Sequence, residues 1–317
     1  MDKPNIFNCA TQEASLQAFL YWFLQWNDPR TMTINYDLHK LSRKLLEAFF
    51  NKHNIKPLAQ IDKINLSGGY LHIDVLLTIN DAVVIPIQDK IYNRVSPDQL
   101  ISYIQELKDC DDEYRNKIIL PIYLQTGTQG NYKKINEAGF RPFSRKELLE
   151  ILKSGEGISN DILKDYIEHL EGIENLTQSF MHRRLDDWDS IWCWQGFYNY
   201  LQDELGDGEW DVITNPYKTC LSFWWQEDRD NDCEKYLQLD KEILCFKIRV
   251  YDKDKRTNLK SKWSERFIKA AEGSSIRVVK PSLLDDHDIT VAVIEGDYRR
   301  IDEDVKIDLN KTLNVIM

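Results

Sequence analysis

No apolar run in this chain approaches the length needed to cross a bilayer, about 20 residues; the longest lies around Ala18 to Leu24. It follows a polar, mixed-charge start rather than a basic one, so it does not read as a secretion signal. A cytoplasmic protein with no membrane partner is therefore expected. Six cysteines (Cys9, Cys110, Cys193, Cys220, Cys233, Cys245) form no C-x-x-C pair, and the six histidines show no zinc-binding spacing. These read as reduced, mostly buried thiols, and they argue against a zinc enzyme. Neither G-x-x-x-x-G-K-[ST] nor G-x-G-x-x-G occurs, so no familiar loop cradles a nucleotide phosphate. Internal repeats and low-complexity tracts are missing as well.

What is present suits a globular protein of two domains. Single cores stop growing at roughly 250–300 residues, and this chain has 317. Its 42% hydrophobic and 29% charged content is ordinary for such proteins. The net charge of −11 opposes non-specific binding to nucleic acid, whose phosphates attract Lys and Arg. It leaves room for a local basic track, and acidic clusters are what divalent cations require.

Along the chain, Leu16, Phe19, Leu20, Phe23 and Leu24 recur at helical spacing, as do Leu41, Leu45, Leu46 and Phe49. Gly68-Gly69 punctuates. YLHIDVLLTI and AVVIPIQDKI then read as two β runs joined by a tight turn at Asn80-Asp81, a hairpin. A helix can open at Pro97 and Asp98, with Leu100, Tyr103, Ile104 and Leu107 as its buried stripe. IILPIYLQT reads as a third strand, and Ser144 with Glu147 as a capping box opening a helix to about Lys153. The expected class is α/β: a small mixed sheet flanked by helices over residues 1–175. An acidic helical stretch, Asp161 to Glu174, leads out of it.

Residues 176–317 hold most of the nine tryptophans, including Trp188, Trp192, Trp194, Trp210, Trp224, Trp225 and Trp263. A helix from about Asp186 to Leu205 precedes the short β-like runs DVIT, CLSFWW, KYLQLD, ILCFKIRVY and ITVAVIEG. A helical stretch, Leu259 to Ala271, lies between these runs, ahead of ITVAVIEG, and another closes the chain. A second α/β domain with antiparallel strands is expected, serving substrate recognition, a protein partner or homo-oligomerisation.

The chemistry concentrates on the hairpin. Side chains alternate along a strand, so Gln88 and Lys90 share one face while Asp89 points the other way. Pairing can bring Asp74 alongside them. An acid, an amide and a lysine on one sheet edge outline a phosphodiesterase site, in which the carboxylate holds Mg²⁺ and the lysine offsets charge on the phosphorane. Read alone, these residues favour the plainer account, Asp74 as a strand-edge acid and Lys90 as a solvated strand end.

The order IDVLL, VVIPIQDKIYN, DQLISYIQEL resembles the D…(D/E)-x-K…Q-x-x-x-Y pattern of the PD-(D/E)XK nuclease superfamily. The likeness extends to TQEASLQAFLYWFLQW, LHKLSRKLLEAFF and YLQTGTQGNYKKINEAGFRPFSRKELLEIL, roughly residues 5–155, and more loosely to WWQ…YLQLDKEILCFKI. It implies a restriction-endonuclease-like core and a Mg²⁺- (or Mn²⁺-) dependent hydrolase of nucleic acid, an endonuclease cutting DNA, with a microbial defence role by association. It further implies Asp74, Gln88 and Glu13 as metal ligands and Lys90 as the catalytic lysine. Gln99 and Tyr103, one helical turn apart, would face substrate or brace the site. Glu13 is otherwise a first-turn acid favoured by the helix dipole.

Gln88 departs from the pattern, standing where the family has Glu or Asp. An amide oxygen can coordinate a metal but carries no charge, which weakens Mg²⁺ binding. Three origins fit: an amide variant that cuts, a degenerate site that only binds, or an inactivating substitution. The rival function is therefore an inactive nucleic-acid- or protein-binding module on a nuclease fold. Pro86, two residues earlier, predicts a strand that is bent or paired on one side only. Two basic groups are candidate phosphate contacts: Lys133, Lys134, Arg141, Arg145 and Lys146, and Lys253, Lys255, Arg256, Lys260, Lys262 and Arg266. The tryptophans of the second half are candidates for stacking on bases, although Trp188, Trp192 and Trp194 on an amphipathic helix read as core.

Overall fold

The structure is a computed structural model that describes residues 4–10, 13–91, 96–110, 112–214, 219–273, 276–281 and 288–317. Thr11, Gln12, Tyr92 and Asn93 of the quoted segments, and the Cys110 side chain, lie outside the described residues. The protein is mixed α/β, with one mixed and one antiparallel sheet. It divides into two compact units, 1–128 with 132–175, and 129–131 with 176–317. No helix among the described residues is long and apolar enough to cross a membrane.

The first unit opens with a short helix α1 (Ile6–Cys9) and the helices α2 (Glu13–Gln25) and α3 (Tyr36–Lys52). On α2 the buried positions are Leu16, Phe19, Leu20, Phe23 and Leu24, the stripe that the spacing predicts. Asn35 caps α3 by accepting from Leu38 N. Three antiparallel strands follow: β1 (Ile64–Tyr70), β2 (Ile73–Ile79) and β3 (Val83–Lys90). Asn80 and Asp81 join β2 to β3 with φ of 50° and 51°, the left-handed pair a tight hairpin needs.

Two expectations fail here. Gly68-Gly69 does not punctuate but lies inside β1. YLHIDVLLTI is not one run, because Leu71 and His72 turn with φ of 50° and 64° between β1 and β2. Non-glycine residues rarely take that conformation, so the turn has no sequence signal.

Helix α4 (Pro97–Cys110) and the short α5 (Asp112–Arg115) carry the chain to β4 (Ile118–Ile119) and β5 (Ile122–Gln125). Then come α6 (Lys133–Glu137), β6 (Arg141–Ser144), α7 (Arg145–Lys153) and α8 (Asp161–Gln178). The sheet order is β1-β2-β3-β5-β6, with β4 also on β3, and the β3, β4, β5 and β6 pairings are parallel. Pro86 falls where the partner of β3 changes from β4 to β5, so its missing N–H costs no ladder bond on that side. Leu107 of α4 packs with Leu76 and Val84 on one face of the sheet, and Phe49 of α3 meets Phe143 of β6 on the other. Ser144 and Glu147 form the predicted reciprocal capping box on α7.

In the second unit, α9 (Ile191–Leu205) precedes β7 (Glu209–Thr214), β8 (Thr219–Arg229), β9 (Cys233–Asp240) and β10 (Ile243–Val250). Helix α10 (Arg256–Ala270), β11 (Val278–Val279), β12 (Asp288–Ile294) and α11 (Leu309–Ile316) complete it. The sheet is antiparallel in the order β11-β12-β10-β9-β8-β7. Helix α9 starts later than expected, capped by Ser190, because Leu185–Asp187 form a separate 3₁₀ turn. Trp188, Trp194, Trp210 and Trp225 are core, packed with Phe197, Tyr198 and Phe223, so they offer no face for stacking on bases. Leu259 of α10 closes a second cluster with Ile248, Ile289 and Val291. Cys193, Cys220, Cys233 and Cys245 are buried and Cys9 is exposed.

Candidate active site

Continuing the β2–β3 register one step beyond Val75↔Ile87 sets Asp74 opposite Gln88. Opposed residues of an antiparallel pair share a face, and the pleat adds Lys90 two positions on. The side chains meet there. Gln88 donates its amide N–H to Asp74 Oδ2 at 2.5 Å. The same oxygen accepts from Asp89 N at 2.9 Å and lies 3.4 Å from Lys90 Nζ. Lys90 Nζ also lies 3.5 Å from Glu13 Oε2, while Glu13 Oε1 accepts from Ile91 N at 3.2 Å. Glu13 thus reaches from the start of α2 to the end of β3 and grips it at two points.

The four groups are shielded but not sealed: Lys90 keeps 9%, Asp74 16% and Glu13 20% of its side-chain exposure. Burial raises the pKa of Asp74; the Lys90 charge and the Asp89 N–H oppose this, and Glu13 adds to it. On the reverse face Asp89 is fully buried, which together with the Asp74 charge pushes its carboxyl up to about 7. Thr126 Oγ1 donates to Asp89 Oδ1 at 3.2 Å, whereas Asp89 Oδ2 has no partner among the described residues. The Tyr166 hydroxyl of α8 is also buried with no partner among the described residues, and its pKa is raised by burial with the Asp89 charge adding to it.

The loop after β5 lies against this strand end. Thr126 N donates to Lys90 O at 3.0 Å, and a Cβ at Gly127 would sit 1.9 Å from Ile91 O. Arg145 donates to Thr126 O at 2.9 Å and Gly127 O at 2.7 Å, and pairs with Glu174 at 2.8 Å. At 5% exposure it is a buried brace rather than a member of a surface basic patch. Lys133, Lys134 and Lys146 are exposed, and Arg141 is half-buried.

Gln99 and Tyr103 both lie on α4. Gln99 Oε1 accepts from Ser96 N and Oγ at 3.1 and 3.2 Å, and Gln99 N donates to Ser96 Oγ at 3.2 Å. This is a capping box for α4, visible in the sequence as S-x-x-Q. Tyr103 packs beside His72, ring centroids 5.8 Å apart, in the apolar cluster under α4. In the second unit Lys262, Arg266 and Lys235 surround the half-buried Trp263 at 5.9, 4.9 and 5.0 Å from its ring. Lys255 is paired with Asp232 at 2.7 Å.

Among the described residues no group of three or more His, Cys, Asp or Glu is placed to hold a metal ion. The cluster has two carboxylates, and its third position is Gln88, whose Oε1 is buried with no hydrogen-bond partner among the described residues. With its amide turned over to present that oxygen, Gln88 beside two carboxylates fits a hard, oxygen-seeking cation, in a set one anion short of three. No family model, no curated protein and no solved structure matches this chain.

Proposed function

We propose that the first half of this chain is a Mg²⁺- or Mn²⁺-dependent phosphodiesterase of the PD-(D/E)XK kind with a restriction-endonuclease-like core, a nuclease acting on DNA in the cytoplasm. One observation carries the reading. A lysine ammonium stands 3.4 Å from Asp74 and 3.5 Å from Glu13 on the face that also holds Gln88. Such a cluster is costly to build, because buried charges lose hydration that a helix dipole or a surface pair does not repay. Asp74 and Glu13 would hold the cation, with the Gln88 oxygen as a neutral third donor after its amide turns over. A bound divalent ion supplies Lewis acidity toward the phosphodiester and the attacking water. Lys90 offsets the negative charge that grows on the phosphate oxygens. Glu13, clamped to Ile91 N, fixes the end of β3 so that Lys90 and Asp74 keep their spacing.

Gln88 supports a second reading, a module that binds nucleic acid without cutting. Its N–H donates to Asp74 where a carboxylate would have repelled it, so the pair is stable with no ion present. A plasmid-nicking assay with Mg²⁺ and Mn²⁺ separates the two. Cutting by this chain that disappears in Lys90→Ala supports the nuclease. DNA retention without cutting, together with cutting by Gln88→Glu, supports the binding module. If neither protein cuts and calorimetry finds no metal bound to either, the nuclease proposal falls.

A further inference from the structure

Gln125 was not among the residues the sequence marked. It ends β5 in parallel register with Lys90, just as Tyr123 pairs with Gln88. Its side chain therefore rises on the same face as Gln88 and Lys90, one strand over, a spacing of about 4.8 Å. Gln125 is 3% exposed, and its Oε1 has no hydrogen-bond partner among the described residues. Two buried amide oxygens with no partner among the described residues thus belong to the face that carries Lys90, from Gln88 on its own strand and from Gln125 on the next. Buried acceptors almost always find donors, so a pair left empty at one place needs an occupant.

Lys90 is itself loosely held. Its contacts of 3.4 and 3.5 Å to Asp74 and Glu13 exceed the roughly 2.7–3.2 Å of a well-formed bond. An ammonium has three donors on a flexible four-carbon stem. In the present arrangement it stands between the two carboxylates, where a divalent cation would have to enter. Like charges a few ångströms apart in a partly desolvated site repel strongly, so cation and ammonium cannot both occupy that position.

We infer that Gln125 is a positioning residue whose amide oxygen receives the Lys90 ammonium when a divalent cation takes Asp74 and Glu13. Lys90 then has two stations, one bridging the carboxylates and one on β5, and the second turns it toward a bound phosphate. This rests on the metal-site reading given above, and it gives the second orphaned oxygen a use.

The test is Mn²⁺ binding to the full chain, followed by calorimetry in the absence of DNA. Gln125→Leu removes the acceptor, and Gln125→Asn withdraws it by one methylene. Each is expected to weaken Mn²⁺ binding by about tenfold, the lower range for residues that orient a metal site. In a Lys90→Met background the same substitutions are expected to have no effect, since no ammonium needs to be housed. A general structural role for Gln125 would lower affinity equally in both backgrounds, and that result overturns the proposal. Unchanged Mn²⁺ binding in Gln125→Leu or, should that variant not fold, in Gln125→Asn also overturns it. A complete lack of Mn²⁺ binding, including by Gln88→Glu, defeats the metal-site reading and this inference with it.

Discussion

Each unit buries an acid on a central strand, and the two are treated in opposite ways. In the second unit Glu234 is 2% exposed, with one oxygen paired to Arg229 and the other to Arg249 at 2.7 Å. Arg249 is in turn shared with Asp288 at 2.9 Å, and their mutual bond lowers the Asp288 pKa against the cost of burial. In the first unit Asp89 is 1% exposed and receives one hydroxyl, while its Oδ2 has no partner among the described residues. Beside it Gln88 Oε1 and Gln125 Oε1 are also empty acceptors. The second unit's buried groups without a partner among the described residues include the indole N–H donors of Trp188, Trp225 and Trp263. The comparison sets a carboxylate closed by two arginines against one that meets a single hydroxyl donor, beside amide oxygens with no partner among the described residues. Unsatisfied acceptors in a group mark a place built for something other than folding.

The contrast can be broken by experiment, the largest effect first. Trp194→Ala empties a fully packed site between Trp188 and Phe197 and is expected to cost about 3–5 kcal/mol in denaturant unfolding. A loss under 1 kcal/mol would show that the aromatic core is not what holds that unit. Lys90→Ala is expected to slow DNA cutting by about 10²–10³-fold, with the far-ultraviolet circular dichroism unchanged. Equal cutting rates would remove the lysine from the chemistry.

Asp89→Asn tests the buried acid through pH. The folded carboxyl titrates at about 7, well above the roughly 3.9 of an unfolded aspartate. Between those values the unfolded chain has released a proton that the folded chain keeps. Stability should therefore fall as pH rises from about 4 to 7 and level off above that, a total of about 2–4 kcal/mol. Asp89→Asn should flatten this profile and be the more stable protein at pH 8, as read from urea midpoints. The same slope in both proteins would place the titration elsewhere. Ser144→Ala, which removes one half of the α7 capping box, should cost about 1 kcal/mol. No change in melting temperature would mean that the helix start is held by tertiary contacts alone.

Local signals were legible in the sequence. The apolar stripe of α2, the Asn80-Asp81 turn and the Ser144/Glu147 capping box each depend on neighbours within one or two turns of chain. The meeting of Asp74, Gln88 and Lys90 on one face follows from strand alternation plus one tight turn, so it too was within reach. Features set by distant partners were not. Arg145 looks like a surface cation until Glu174, 29 residues on, is folded against it. Gln125 joins the cluster only through parallel pairing across α4, α5 and β4, for which no spacing rule exists. β1 was obscured by its own composition: paired glycines inside a strand and a left-handed turn made by Leu71 and His72. Gln99 carries two signals at once, since the family pattern suggests a site residue and the local S-x-x-Q pattern marks the helix cap that it forms.

Gly127 has no functional group, yet the closeness of its backbone to Ile91 makes it a point of vulnerability for the whole cluster. A single methyl there would overlap Ile91 O at 1.9 Å and Ile91 C at 2.7 Å, both main-chain atoms that cannot rotate aside. The strand tip would have to lift, taking with it the Ile91 N–H that Glu13 grips. Gly127→Ala is thus a remote off-switch: it would leave every acid, amide and amine of the site chemically intact and scatter them in space.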